Sequence, residues 1–120
     1  MAADIPDGWH SVTPRIVVDD VPTLVAFLRH AFGAIGEVQE DRPTVIRIGD
    51  SLVMISETGL RERVTAFLYV YVPDVDATYQ RAMQAGAVSL EATLNTPYGD
   101  RRAMVKDPCG NIWQIATRLG

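Results

Sequence analysis

Tyr98-Gly99-Asp100-Arg101-Arg102-Ala103-Met104-Val105-Lys106-Asp107-Pro108-Cys109-Gly110-Asn111-Ile112-Trp113-Gln114 reads as two strands joined by a tight turn. Asp107, Pro108 and Gly110 supply the first, second and fourth positions of a type I turn. Gly110 can take positive φ, so the hairpin can close through a bulge. The flanks alternate. Ala103 and Val105 share one face with Trp113 and Ile115, while Arg102, Met104, Ile112 and Gln114 lie on the other. The hairpin therefore separates a core face of the sheet from a face available for other work.

Working outward, the same plan occurs twice. Thr13–Val18 predicts a strand, with Asp20 as the N-cap of a helix and Pro22 in its first turn. Val21, Leu24, Val25, Leu28, Ala31 and Phe32 recur at helical spacing, and Gly33 ends the run. Strand-like segments follow at Gly36–Asp41, Thr44–Gly49 and Ser51–Ser56. Of these, Gly36–Asp41 has the weakest pattern. Then Thr65–Val72 predicts a strand and Asp74 caps a second helix, with Val75, Tyr79, Ala82 and Met83 inward. Val88–Leu94 predicts another strand before the opening hairpin. Val18-Asp19-Asp20-Val21 and Val72-Pro73-Asp74-Val75 open the two helices alike, which marks a duplicated module. The fold expected is α+β: two βαβββ modules, at about 12–57 and 64–118, in one domain spanning 1–120.

Alternation assigns the faces. Ile16, Val18, Ile46, Ile48, Val53, Ile55, Leu68, Val70, Val72, Ala103, Val105, Trp113 and Ile115 form a uniformly apolar set, as a core face requires. The opposite face carries Thr13, Arg15, Val17, Arg47, Leu52, Met54, Ser56, Phe67, Tyr69, Tyr71, Arg102, Met104, Ile112 and Gln114, with no His, Asp or Glu among them. A mostly apolar wall with a few polar groups suits a small-molecule pocket. A dimer interface has a similar composition, so both readings stand. Arg15, Arg47 and Arg102 could grip an anion, or pair with Glu37, Glu91 or Asp100. Arg101, of the other parity, should point toward the helix layer's edge and solvent.

Composition sets the outer bounds. The chain has 120 residues, is 48% hydrophobic and carries a formal net charge of −4. That charge argues against nucleic acid or an anionic membrane as partner. No apolar run approaches the roughly 20 residues of a membrane span. Met1 to Trp9 is acidic and polar, so no signal peptide is read there, and a cytoplasmic location is the default. The lone Cys109 excludes an internal disulfide framework. It reads as a turn residue. His10 and His30 are unclustered and read as surface residues.

The duplicated plan, Gly49-Asp50-Ser51, and above all Tyr98–Arg102 with Lys106–Asn111 resemble the vicinal oxygen chelate superfamily: the glyoxalase, bleomycin-resistance protein and extradiol dioxygenase group, and within it the PhnB-like branch. The likeness covers about Thr13 to Thr117. It implies two modules whose sheets curl around a cleft, usually in a homodimer. It also implies, in catalytic members, one divalent metal held by four side chains, commonly His and Glu. Those positions fall here on Thr13, Met54, Phe67 and Gln114. Thr is a weak ligand, Met prefers soft metals, and Phe has no donor. The expectation is therefore a homodimer that binds a small organic molecule without metal or other cofactor, through Arg15, Met54, Phe67, Tyr69, Tyr71, Arg102 and Gln114. No catalytic residue is assigned. The alternatives are a metal-dependent lyase, isomerase or dioxygenase, and a structural dimer whose cleft is filled.

Overall fold

Both helices start where an aspartate can accept a backbone N–H, and both lead into strands with an alternating pattern. The computed structural model describes residues 4–120. In chain order its elements are β1 (Arg15–Val18), α1 (Val21–Phe32), β2 (Thr44–Ile48), β3 (Ser51–Glu57), β4 (Phe67–Tyr71), α2 (Val75–Gln84), β5 (Val88–Asn95), β6 (Asp100–Lys106) and β7 (Ile112–Arg118). Asp20 caps α1, its carboxylate accepting from Thr23 N at 3.1 Å and Thr23 Oγ1 at 2.7 Å. Gly33 closes that helix in the left-handed region at φ 65°. Asp74 caps α2 by accepting from Ala77 N at 3.1 Å.

The strands form two sheets, β1-β3-β2 and β4-β7-β6-β5. In each, the module's first strand runs parallel to its last, β1 beside β3 and β4 beside β7, and the remaining pairs are antiparallel. The helices cover one face of the sheets. There the predicted core set is buried, except that Leu68, Val70 and Val72 of the β4 region are half-buried at its margin. One apolar cluster takes residues from both modules. Phe32 of α1 lies against Trp113 of β7, ring centroids 5.2 Å apart, and Arg81 Nε of α2 donates to Ala31 O of α1 at 3.2 Å.

The β6–β7 turn is held by a buried carboxylate. Asp107 Oδ1 accepts from Cys109 N at 2.8 Å and Asn111 N at 3.0 Å. Its Oδ2 accepts from Asn111 Nδ2 at 2.9 Å and Trp113 Nε1 at 2.8 Å. Asn111 Oδ1 in turn accepts from Ala66 N at 2.9 Å, which fixes the start of β4 beside β7. The motif that reads as a turn in the sequence thus also seats the largest core side chain and aligns two strands.

Several expectations are corrected. Gly36–Asp41 is not a strand: the only pairing there is a single bridge between Ile35 and Arg47. Gly36 adopts φ 139°, and a Cβ on it would lie 2.5 Å from Val45 O. A regular ladder cannot continue through that contact, and the polar run 39–42 has no alternation to restore it. Val17 is buried and not on the open face, because Val64 of the linker bridges to it by two hydrogen bonds of 3.0 Å. In α2 the buried residues are Val75, Thr78 and Ala82, whereas Met83 is exposed.

Candidate functional site

Cross-strand register sorts the open face of the second sheet into rows. Tyr69, Gln114, Met104 and Glu91 lie side by side, as do Tyr71, Ala116, Arg102 and Leu94. Phe67 stands opposite Ile112 in the row nearer the turn. Phe67 is 65% exposed and Tyr71 60%. The Tyr69 and Tyr71 rings are 5.4 Å apart at 59°. The result is an aromatic shelf, with the Gln114 amide at its middle. That amide makes no hydrogen bond to the described residues.

Two carboxylates belong to this face, against the expectation that it has none. β6 begins at Asp100, two residues before Arg102, so parity places both on the same side. In β5 the register shifts on either side of Glu91 and turn it opposite Met104. An alternation count that assumes a regular ladder misses that irregularity.

Both carboxylates are already engaged. Asp100 is fully buried. Its Oδ2 accepts from Tyr69 OH and Tyr71 OH, each at 2.7 Å, and its Oδ1 from Arg118 Nη1 at 3.1 Å. The Tyr69 hydrogen bond, followed by those from Tyr71 and Arg118, holds the Asp100 carboxyl below its ordinary range against the opposing effect of desolvation. Glu91 Oε1 accepts from Arg102 Nε at 3.0 Å and Nη2 at 2.8 Å. Arg102 Nη1 donates to Tyr98 OH at 2.8 Å, and Tyr98 OH lies 3.1 Å from Tyr69 OH. Desolvation, then the hydrogen bonds to Tyr98 and Asp100, push the Tyr69 hydroxyl pKa up. Arg101 turns to the helix side and pairs with Asp76 of α2 at 2.9 Å, as its parity predicts.

The expected site residues fall into two groups. Phe67, Tyr69, Tyr71, Arg102 and Gln114 share the second sheet. Arg15 and Met54 face each other on the first, where Arg15 Nε donates to Ser56 Oγ at 3.1 Å. A crevice of about 640 Å³ runs between the modules, bounded by His10, Thr13, Leu52, Leu68, Tyr71 and Trp113. A second cavity of about 620 Å³ lies beside Arg15, Ser56 and the 39–43 loop. Neither cavity is lined by Met54, Phe67, Arg102 or Gln114. Sequence reasoning passed over Tyr98, Asp100, Glu91 and Arg118 as members of the face. The available signal was the parity of Asp100 with Arg102.

The side chains do not suit a divalent metal. Phe67 offers no donor and Met54 only a thioether. Both Asp100 oxygens are committed to tyrosines and an arginine, and Glu91 holds Arg102 through Oε1. Among the described residues no three His, Cys, Asp or Glu side chains gather as a ligand set. Cys109 is half-buried, and burial, reinforced by the nearby Asp107 and Asp20 charges, pushes its thiol up to about 11, so it is not a ready nucleophile. No helix among the described residues is long and apolar enough to cross a membrane.

Residues 10–115 match the family model described as Glyoxalase/Bleomycin resistance protein/Dioxygenase superfamily. An uncharacterized protein of Mycobacterium bovis is 29% identical, the match covering 88% of this chain and 81% of that protein. Among solved structures, TioX from Micromonospora sp. ML1 superposes with a TM-score of 0.75 at 22% identity, covering 92% of this chain and 98% of TioX. The fosfomycin resistance protein FosX from Mesorhizobium loti superposes with a TM-score of 0.68 at 21% identity, covering 90% of this chain and 91% of FosX.

Proposed function

The chain belongs to the Glyoxalase/Bleomycin resistance protein/Dioxygenase superfamily, and from that premise we propose that it binds a small, flat, uncharged organic molecule on the open face of its second sheet, without a metal. The observation that carries this reading is the aromatic shelf itself: Phe67 and Tyr71 are exposed while the charges beside them are matched. Asp100 faces Arg118 and Glu91 faces Arg102. A charged ligand would have to break one of these pairs, whereas an aromatic ring needs only the shelf. The uncommitted Gln114 amide is suited to fix the orientation of one polar group on the ligand. Arg15 and Met54, on the other sheet, would join the site where a second copy brings a first module against a second. The function is accordingly a cytoplasmic homodimer that binds or sequesters its ligand, as in the bleomycin-resistance type. The Tyr98–Arg102 and Lys106–Asn111 motifs support a PhnB-like placing within the superfamily.

The test is a thermal-shift series on the full chain with neutral aromatic compounds, simple carboxylates and alkylammonium ions. A ligand of the native state at a hundred times its Kd adds about 2.7 kcal/mol. Neutral aromatics should raise Tm, and F67A and Q114A should each abolish the shift. Dialysis against a chelator should leave both Tm and binding unchanged. Stoichiometric zinc, nickel, iron or manganese in the purified protein would overturn the metal-free reading in favour of a metal-dependent lyase, isomerase or dioxygenase. Sedimentation analysis tests the dimer, and a monomer at micromolar concentration would count against it.

A further inference from the structure

The hydrogen bonds around Tyr98 have only one consistent direction. An ionised Asp100 can only accept, so Tyr69 spends its single hydrogen on Asp100 Oδ2 at 2.7 Å. The 3.1 Å contact between Tyr69 OH and Tyr98 OH must then be donated by Tyr98. Tyr98 oxygen in turn accepts from Arg102 Nη1 at 2.8 Å. The chain runs from Arg102 to Tyr98 to Tyr69 to Asp100. It has a second arrangement, in which the Tyr69 and Asp100 oxygens, 2.7 Å apart while hydrogen-bonded, separate once no hydrogen lies between them. If Tyr98 loses its proton, Tyr69 can redirect its own hydrogen to the Tyr98 phenolate, and Asp100 keeps Tyr71 and Arg118.

Tyr98 is also presented rigidly, although it is 51% exposed. Arg118 Nη1 holds its carbonyl at 2.8 Å. Thr96 N donates to Asp100 O at 2.7 Å, and Thr96 Oγ1 bonds both Asp100 O and Asp100 N, which closes the loop that carries Tyr98.

We propose that Tyr98 is an acid–base group of the aromatic shelf, exchanging a proton with a bound molecule that has a weakly acidic hydrogen, such as the C–H beside the carbonyl of an aryl ketone. This adds chemistry to the binding face proposed above and rests on that reading for the seating of the ligand. In the forward step the Tyr98 phenolate oxygen forms an O–H bond. The ligand's C–H bond breaks, and its electron pair passes into the C–C bond as the carbonyl π pair moves to oxygen, giving the enolate. The reverse step returns the proton, to the same carbon or to a different one, so the net reaction is an isomerisation or an exchange with no co-reactant. The groups facing Tyr98 agree with this role. Tyr69 and Tyr71 come from β4, Asp100 and Arg102 from β6, Arg118 from β7 and Glu91 from β5. Of the forces on the Tyr98 phenol, the Tyr69 hydrogen bond, donated once Tyr69 turns away from Asp100, is the largest, and together with the Arg102 contact it lowers the pKa. Two carboxylates are nearby, but each is neutralised by its arginine.

The decisive experiment is a tyrosinate absorbance titration of the native full chain, which has four tyrosines. One tyrosine should ionise below the usual value of about 10. Y98F should remove that step and Y79F should leave it in place. R102Q should shift it upward and E91Q downward, so that a failure of one variant to fold leaves the other informative. If all tyrosines ionise at or above the usual value, or if the early step survives in Y98F, the proposal is overturned. This arm uses no ligand and is independent of the thermal-shift outcome. In the second arm, acetophenone is incubated in D2O with the wild-type protein and with Y98F. Methyl exchange followed by NMR should be at least tenfold faster with the wild type, and equal rates would overturn the proton transfer.

Discussion

The first module puts its sequence into the core, and the second divides its sequence between core and surface chemistry. α1 buries six side chains, Val21, Leu24, Val25, Phe27, Leu28 and Ala31, whereas α2 buries three. The first module's β2–β3 turn is Gly49-Asp50, where Asp50 meets only Ser51 Oγ at 2.9 Å in the open. The corresponding turn of the second module buries Asp107 under donors from three residues. The first sheet has three strands and the second four, because the first module's outer hairpin shrinks to the Ile35–Arg47 bridge. Duplicated chain paths therefore need not share their burden. Once one copy supplies most of the helix packing, the other can carry buried polar networks and an open aromatic face.

The sharpest way to break this contrast is to remove the two turn aspartates in parallel. D107A leaves the Trp113 and Asn111 donors and two backbone N–H groups unpartnered in a closed site. It should lower unfolding free energy by about 3 kcal/mol or more, read from urea denaturation. D50A, at the exposed turn of the first module, should change stability by less than about 0.5 kcal/mol. Equal effects would show that the two turns do the same work. Next in size is G36A, which tests why the first module lacks its outer strand. A methyl group there would press on Val45 O in a backbone conformation that Ala avoids, and the cost should be about 2 kcal/mol. The same substitution at Gly59, whose Cβ would meet open space, separates the clash from the backbone conformation, since Gly59 also has positive φ.

A third test uses pH. The Asp100 pKa is lowered in the folded protein from its ordinary value of 3.8, with the Tyr69 hydrogen bond as the leading cause. A depressed carboxyl stabilises the fold fully above its unfolded pKa, and that contribution is lost as pH falls through the folded value. The wild type should therefore lose stability below pH 3.8 more steeply than D100N, as measured by denaturation midpoints from pH 6 down to about 2. Parallel acid curves would remove Asp100 from the account. The effect of D100N at neutral pH should fall between those of D107A and D50A, because the Tyr71 and Arg118 side chains it frees can reach water.

Much of this fold was legible because its signals are local. Asp20 and Asp74 before apolar helical runs, and the Asp-Pro-Cys-Gly turn between alternating strands, are statements about neighbours in the chain. The core face was legible as well, since strict alternation fixes which side chains turn inward. The site was legible only in part. Phe67, Tyr69, Tyr71, Arg102 and Gln114 follow from parity, and the structure places them on one sheet. Glu91 does not follow, because a bulge in β5 inverts its face. Arg102's partner was one of several open choices, and the direction of the Tyr98–Tyr69–Asp100 chain exists only once three side chains from two strands and a loop meet. The sequence by itself determined the elements and the buried side of each sheet, because capping, turn formation and alternation act over a few residues. Tertiary structure decided which charges are matched, which aromatic rings stay open and where Gly36 interrupts a strand, because these depend on register and on contacts between residues far apart in the chain.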